Sequence, residues 1–416
     1  LLSFSVHAER ALKARNNHKP PSAVELDFVL YSSEQLYDDA RWTLEDDWLE
    51  YTGFLRAVER LDKASSPGWP LMREKPTIGE WLEWDGHRAG DVPLQRLWLM
   101  VKSVLKGEFE HLFRVFVKDE PHTIKKRDEG RWRLIIASSL PVQMVWQMTF
   151  STMNDLEILK AGVLPSVQGY VSSGGGWKFF YKRCKTHNLT TCLDKSSWDW
   201  LAPAWVFQAD LLLRYRLCNN PNPKWFQVAT MLYRDAFADA KLLFSSGDVY
   251  QQQFGGFMKS GVLNTISTNS HCQVFIHLLA SLRCGVASTG ILACGDDTIQ
   301  EPIVSPDYQY ELEKAGCSVK IFTDERIEFM GYEYRPEPEP LYFAKHVNSI
   351  ATTKPDDLPD TLGSYARMYA YSDKFVFWQQ LSARLGCAIP SREFCQYWFG
   401  SPLARVLTRV GGSKSV

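Results

Sequence analysis

The stretch Ile291-Leu292-Ala293-Cys294-Gly295-Asp296-Asp297-Thr298-Ile299 sets two adjacent carboxylates behind a glycine, between two short apolar runs. Runs of this length around a glycine turn predict a β-hairpin. A strand alternates its side chains between faces, so consecutive aspartates at the hairpin tip send one carboxylate into a site and the other beside it. Paired hard oxygen donors suit a divalent metal ion. The same tripeptide is also ordinary turn chemistry, so the reading depends on whether the rest of the chain supplies partners.

Upstream, Leu189 to Leu193 is a short apolar and β-branched run ending at Asp194, which predicts a buried strand. Asp194-Lys195-Ser196-Ser197-Trp198-Asp199 then puts one aspartate at the strand end and a second five positions on, at the approach to a helix announced by Pro203 and continued over Trp205 to Leu217. Ends of strands are where sites are assembled, so Asp194 can share metal ions with Asp296 while Asp199 faces a substrate or, alternatively, caps the helix. Gly255, Gly256 and Gly261 lead into a helical pattern over Val262 to Leu282. Within it Ser260-Gly261 is followed by Thr265 and Asn269, four apart and so on one helical face, as buried polar glue or as a reader of sugar hydroxyls.

Further upstream, Lys118, Lys125, Lys126, Arg127, Arg131 and Arg133 crowd one segment before the apolar run Leu134-Ile135-Ile136, offset by Asp119, Glu120, Asp128 and Glu129. This is a solvated loop or a cationic strand-loop-strand that neutralises a triphosphate, Arg giving bidentate contacts and Lys a mobile point charge. Ser173-Gly174-Gly175-Gly176-Trp177-Lys178 lacks the spacing of a phosphate-binding loop and reads as a flexible turn.

Composition narrows the class. At 416 residues the chain is long enough for more than one core. Its 47 basic and 48 acidic residues leave nucleic acid open as a ligand, because a basic channel can be balanced by acidic surface elsewhere. The nine cysteines show no Cys-x-x-Cys pair, which argues against a disulfide framework or a zinc site and for a reducing, cytosolic setting. No apolar run approaches the roughly 18 residues of a membrane span, and Leu1 to His18 is too charged for a signal peptide. Leu rather than Met at position 1 suggests a processed polyprotein product or an excised fragment. Residues 1 to 140 mix amphipathic helices, Trp42 to Arg60 and Leu94 to Leu105, with Pro- and Gly-rich loops. After the hairpin come a helix near Tyr308 to Ala315, a strand pair around Phe329-Met330-Gly331-Tyr332, a stiff break at Pro336, Pro338 and Pro340, and a helical, aromatic remainder.

In their order and intervals, the basic loop, Asp-x4-Asp (Asp194, Asp199), Ser-Gly-x3-Thr-x3-Asn (Ser260 to Asn269) and Gly-Asp-Asp (Gly295 to Asp297) resemble motifs F, A, B and C of the RNA-dependent RNA polymerases of positive-strand RNA viruses. Ser66-Pro67-Gly68-Trp69-Pro70 is similar to motif G, Phe329-Met330-Gly331 to the turn of motif E, and Lys320 (or, less well placed, Lys314) to the motif D lysine. The resemblance covers about residues 63 to 334. The wording of motif A looks most like the sobemovirus and polerovirus group, although Ser197-Trp198 stands where many relatives have Gly-Phe.

The resemblance implies an α+β right-hand fold whose antiparallel palm sheet is flanked by helices, with fingers at 1–140 and 206–249, palm at 141–205 and 250–334, and thumb at 335–416. It implies that Asp194 and Asp296 hold two magnesium ions, manganese substituting, with Asp297 a nearby contributor. By the same resemblance Lys118, Lys126 and Arg133 meet the triphosphate, Asp199, Thr265 and Asn269 recognise the ribose 2′-hydroxyl, Ser260 and Gly261 flex against template or nucleotide, and Lys320 acts as general acid. The implied partners are RNA template, nascent RNA, ribonucleoside triphosphates and a genome-linked protein primer, in the host cell cytoplasm at replication complexes. A thumb of about eighty residues is too short to carry a large extra priming element without losing its own core, which suits a protein-primed start, with initiation without a primer as the alternative. Two rival readings remain. A reverse transcriptase normally has Tyr-x-Asp-Asp and an aromatic steric gate, and a non-catalytic RNA-binding protein would bind RNA without releasing pyrophosphate.

Overall fold

A computed structural model describes residues 1–322 and 326–403, with only the backbone described at 320–322. Its strands are β1 (Phe113–Val117), β2 (Leu134–Ala137), β3 (Thr191–Lys195), β4 (Lys241–Leu243), β5 (Val249–Gln251), β6 (Ile291–Cys294), β7 (Asp297–Gln300), β8 (Val319–Phe322), β9 (Ile327–Phe329), β10 (Tyr332–Tyr334) and β11 (Pro338–Pro340). They form three sheets, ordered β2-β1-β4-β5, β6-β7-β3-β8 and β11-β10-β9. The second carries the hairpin, and all its pairings are antiparallel. Alternation sorts β3 between two cores: Leu193 joins the large one, Cys192 the smaller one with Leu292 and Ile299.

One face of this sheet is covered by the helix Thr265–Arg283, which packs on β6 and on the helices Ala23–Leu36, Ala204–Arg216 and Tyr308–Ala315. Every residue from Ser267 to Ser281 of that helix is buried. Surrounded on all sides, it needs no polar face, which explains its mixture of small, apolar and hydrogen-bonding residues. Thr268 and His271 on this helix join a buried charge network. Fully buried Asp210 accepts from Arg214 Nε (3.1 Å), Thr268 Oγ1 (2.7 Å), His271 Nδ1 (2.5 Å) and the Tyr233 hydroxyl. The far nitrogen of His271 stands 3.0 Å from Glu157, itself held by Gln168. Burial disfavours a charged imidazole, but Glu157 and Asp210 outweigh it and raise His271 to about 9.

Several elements differ from expectation. The chain is helical over Tyr51–Glu59 rather than from Trp42, because Trp42 N–H donates to the Leu217 carbonyl and Leu44 N–H to Asn220, tying that stretch to another segment. The central helix starts at Thr265, not Val262, since the Thr265 hydroxyl donates to the carbonyls of Val262 and Lys259 and keeps the preceding loop non-helical. The proline stretch is not a plain break: Pro338–Pro340 pairs with β10 as an edge strand, where a missing N–H is tolerated. Nor is the triple glycine free. Gly174 and Gly175 donate to the carbonyls of Trp398 and Phe399, and a side chain at Gly175 would press on Gly400 and Pro402. Absent Cβ atoms let the last described helix, Arg392–Gly400, close on that turn.

Candidate active site

The hairpin forms with Gly295 and Asp296 as its two-residue turn, Cys294 facing Asp297 across it. Gly295 has φ +64°, which a two-residue hairpin favours at this position and a side chain resists. Antiparallel register pairs Leu193 with Thr298, so one step further brings Asp194 level with Asp297, while Asp296 rides on the turn. All three aspartates are solvent-exposed at the same sheet end. Asp297 accepts from the backbone of Met330 in the β9–β10 turn, and withdrawal from water, then Asp296, push its pKa up to about 6 against the pull of Lys195.

Lys195, unremarked in the sequence, lies beneath this cluster. It is buried and donates to Thr298 Oγ1 at 2.7 Å. Burial lowers it to about 8, opposed by Cys317 and by Asp296, Asp297 and Asp194.

Asp199 sits in a short helix, Trp198–Leu201, entered through Ser197 at φ +55°. Asn269 reaches it: its amide hydrogen-bonds the Asp199 carboxylate, while its Oδ1 accepts from buried Trp198 Nε1 at 2.8 Å. Burial and Asp296 raise Asp199 to about 6, with Arg133 and Asn269 pulling it down. Three predicted residues, Asp199, Asn269 and Arg133, therefore converge. Thr265 does not point outward with them, because its hydroxyl is spent on backbone carbonyls. Ser260 and Gly261 are pinned rather than mobile: Gly261 N–H donates to the Ile136 carbonyl, and a Cβ there would lie 2.5 Å from that oxygen. Only glycine lets β2 approach this closely.

The basic segment is a loop between β1 and β2 containing the short helix Ile124–Asp128. Lys118 (3.1 Å) and Arg133 (3.6 Å) flank Glu120. Lys126 lies beside His7, whose pKa it depresses after burial and Arg131 do. Lys320 pairs through its backbone with Asp194, but its side chain lies outside the described residues; Lys314 lies over the Tyr310 ring.

Two further contacts escaped the sequence. Ser270 Oγ accepts from Gly295 N–H at 2.9 Å, so Asn269 and its neighbour hold the Asp199 helix and the Asp296 turn respectively. Arg15 donates to the carbonyls of Trp200, Ala202 and Gly255, stapling the segment after Asp199 to the glycine loop. Asn-Ser after Thr-x3 is a readable signal in retrospect; Arg15, distant in sequence, offers none.

Among the described residues no group of three or more His, Cys, Asp or Glu is drawn together as a preformed metal shell. The donor set nonetheless fits a hard divalent cation: it is all oxygen and lies at one sheet end, and withdrawal from water, then the Asp296 charge, lift Asp297. An antiparallel sheet with paired aspartates at one end, a polar helix beside them and a basic loop opposite define a right-hand nucleotidyltransferase palm. Residues 49–382 match the family model described as viral RNA-dependent RNA polymerase, and the chain belongs to that family. It is 27% identical over 319 residues to Protein P1-P2 of potato leafroll virus, covering 70% of this chain and 29% of that protein. To replicase polyprotein P2AB of southern cowpea mosaic virus it is 31% identical over 254 residues, 58% of this chain and 26% of that one. The chain thus spans under a third of these relatives. The fold resembles that of a sicinivirus 3Dpol RNA-dependent RNA polymerase at TM-score 0.71, covering 93% of this chain and 87% of that one at 16% identity.

Proposed function

We propose that this chain catalyses template-directed RNA synthesis from ribonucleoside triphosphates by two-metal-ion nucleotidyl transfer. The observation that carries the reading is the gathering of Asp194, Asp296 and Asp297 at one strand end, beside an Asp199–Asn269 pair that faces Arg133. Asp194 and Asp296 would hold magnesium, manganese substituting, and Asp297 would contribute from the same face. Bound there, the two ions would lower the pKa of the primer 3′-hydroxyl and stabilise the departing pyrophosphate, a contribution of several kcal/mol.

The chain's own residues do the rest. Arg133 offers a fixed fork to the triphosphate, and Lys118 and Lys126 add mobile positive charge to the same approach. Beyond the bond they make to each other, Asp199 and Asn269 present a free carboxylate lone pair and a second amide hydrogen to the ribose 2′-hydroxyl, and a deoxynucleotide leaves these without the sugar partner. Trp198 fixes which end of the Asn269 amide faces the sugar, by donating to its oxygen. Lys320, next to Asp194 across the sheet, is the proposed proton donor to pyrophosphate.

RNA template and nascent product are the macromolecular partners, a genome-linked protein the proposed primer, and the host cytoplasm the setting. Extension of a primer on an RNA template in magnesium, comparing ribonucleotides with deoxynucleotides, tests the reading. Preferential ribonucleotide incorporation supports it; equal or preferred deoxynucleotide use returns the palm to the reverse-transcriptase class, and absence of pyrophosphate release to a binding protein.

A further inference from the structure

The helix Gly176–Thr186 presents an apolar residue on the wrong side. Trp177, Phe180 and Cys184 are buried at helical spacing, in one cluster with Cys192, Leu292 and Ile299 of the palm sheet. Phe179, on the outer side, is 70% exposed. It does not stand alone. Ile158 and Leu159, ending the helix Leu140–Leu159, line the same open cleft of about 600 Å³ together with Phe179 and Lys182. Leu159 is 79% exposed, and Val163, four residues on, 60%. Scattered exposed apolar residues are ordinary; a contiguous set is a docking surface.

Charge identifies the occupant. From Ile158 to Leu193 the sequence holds no Asp or Glu, yet carries Lys160, Lys178, Lys182, Arg183 and Lys185. Glu157, just before it, is fully buried in the His271 network, and Lys160 is spent on Asp39 at 3.8 Å. Arg183 is spent on structure: it donates to the carbonyls of Ala161, Val163 and Leu164, and so holds the loop carrying Val163 against the helix carrying Phe179. The patch is built, not a fluctuating loop. Lys182 lines the cleft with Phe179, while Lys178 and Lys185, exposed on the same helix, lie over the Trp177 and Tyr181 rings, and among the described residues none of the three has a carboxylate partner.

Exposed apolar side chains beside a helix that carries three exposed lysines match an anionic lipid bilayer, whose headgroups would meet the cations while Phe179, Leu159 and Val163 enter the acyl boundary. Single-stranded RNA would use the lysines and stack on Phe179, but has no use for an aliphatic Leu159, Ile158 and Val163. Among the described residues no helix is long and apolar enough to cross a membrane, so attachment here would be peripheral. We propose that this face, formed by the end of Leu140–Leu159 and the outer side of Gly176–Thr186, is a membrane-docking surface for anionic phospholipid, separate from the carboxylate cleft.

The test is co-flotation of the 416-residue chain with vesicles of phosphatidylcholine alone or with about a third phosphatidylserine. The expected result is at least ten-fold tighter binding to the anionic vesicles, weakened by salt and lost in both Leu159→Glu/Phe179→Glu and Lys178→Glu/Lys182→Glu. All four positions are exposed, so both variants should keep the wild-type Tm and primer extension. Equal binding to neutral vesicles, or undiminished binding by either variant, overturns the proposal. So does a single-stranded RNA oligonucleotide that displaces the vesicles and itself loses affinity in the lysine variant alone, which would make the surface an RNA track.

Discussion

Two groups of carboxylates lie on either side of the helix Thr265–Arg283, and they are treated in opposite ways. Asp210 and Glu157 are wholly buried and matched by Arg214 and His271, so that burial is offset by partners on every oxygen. Asp296 and Asp297 stand at the hairpin without a cation matched to each oxygen, withdrawal from water and the Asp296 charge raise Asp297 to about 6, and Lys195 lies buried beneath them. The first arrangement consumes its charge in holding the fold. The second keeps its charge available, which is what a cation or a reacting phosphate requires. One helix serves both: Thr268 and His271 face the buried network, Asn269 and Ser270 the open site.

The contrast can be broken most forcefully at Asp210. Asp210→Ala leaves Arg214 without its carboxylate partner and His271 with Glu157 alone, one buried anion against two buried cations, and should cost about 3–5 kcal/mol, read as a fall in the midpoint of urea unfolding. A shift under 1 kcal/mol would mean that the network is not holding the helix. Next is Asn269→Ala, which strands Trp198 Nε1 and removes the donor to Asp199. The preference for ribonucleotides over deoxynucleotides should drop by about ten-fold or more, with total turnover less affected. An unchanged ratio would remove Asn269 from sugar recognition. Ser270→Ala deletes the acceptor for Gly295 N–H. A loss of about 1 kcal/mol predicts a roughly five- to ten-fold slower turnover at nearly unchanged Tm; full activity would show the turn to be self-supporting.

Most diagnostic of the buried network is pH. His271 titrates higher folded, at about 9, than its usual 6.5. Its stabilisation is therefore complete below about pH 6.5 and fades as pH rises through 9. Melting temperature should fall across that window, and His271→Gln, less stable throughout, should flatten this component of the slope. An identical slope in the variant would assign the effect to other groups.

Local chemistry made much of the site legible. The hairpin and the strand ending near Asp194 follow from glycine and alternation, encoded within a few residues, and i, i+4 spacing puts Thr265 and Asn269 on one helical face; the meeting of Asn269 with Asp199, seventy residues upstream, leaves no such local trace and is implied only by the family resemblance. Spacing fixes the helix face on which Thr265 lies but not where its hydroxyl finds an acceptor, here the carbonyls of Val262 and Lys259. Ser260-Gly261 looked mobile because glycine permits freedom, whereas here it permits the approach of β2, a strand more than a hundred residues away. Arg15 and the Asp210 network are long-range pairings and leave no periodic trace. Pro338–Pro340 read as a break because proline usually interrupts a ladder, and only the edge position reconciles it with β10.

The most direct test is primer extension on an RNA template in magnesium by the wild-type chain and Asp296→Asn, with melting temperature measured on both. Turnover should fall by about a thousand-fold or more, as befits loss of a metal-binding carboxylate worth several kcal/mol, while Tm stays within a degree or two. Near-wild-type extension by Asp296→Asn would contradict the account.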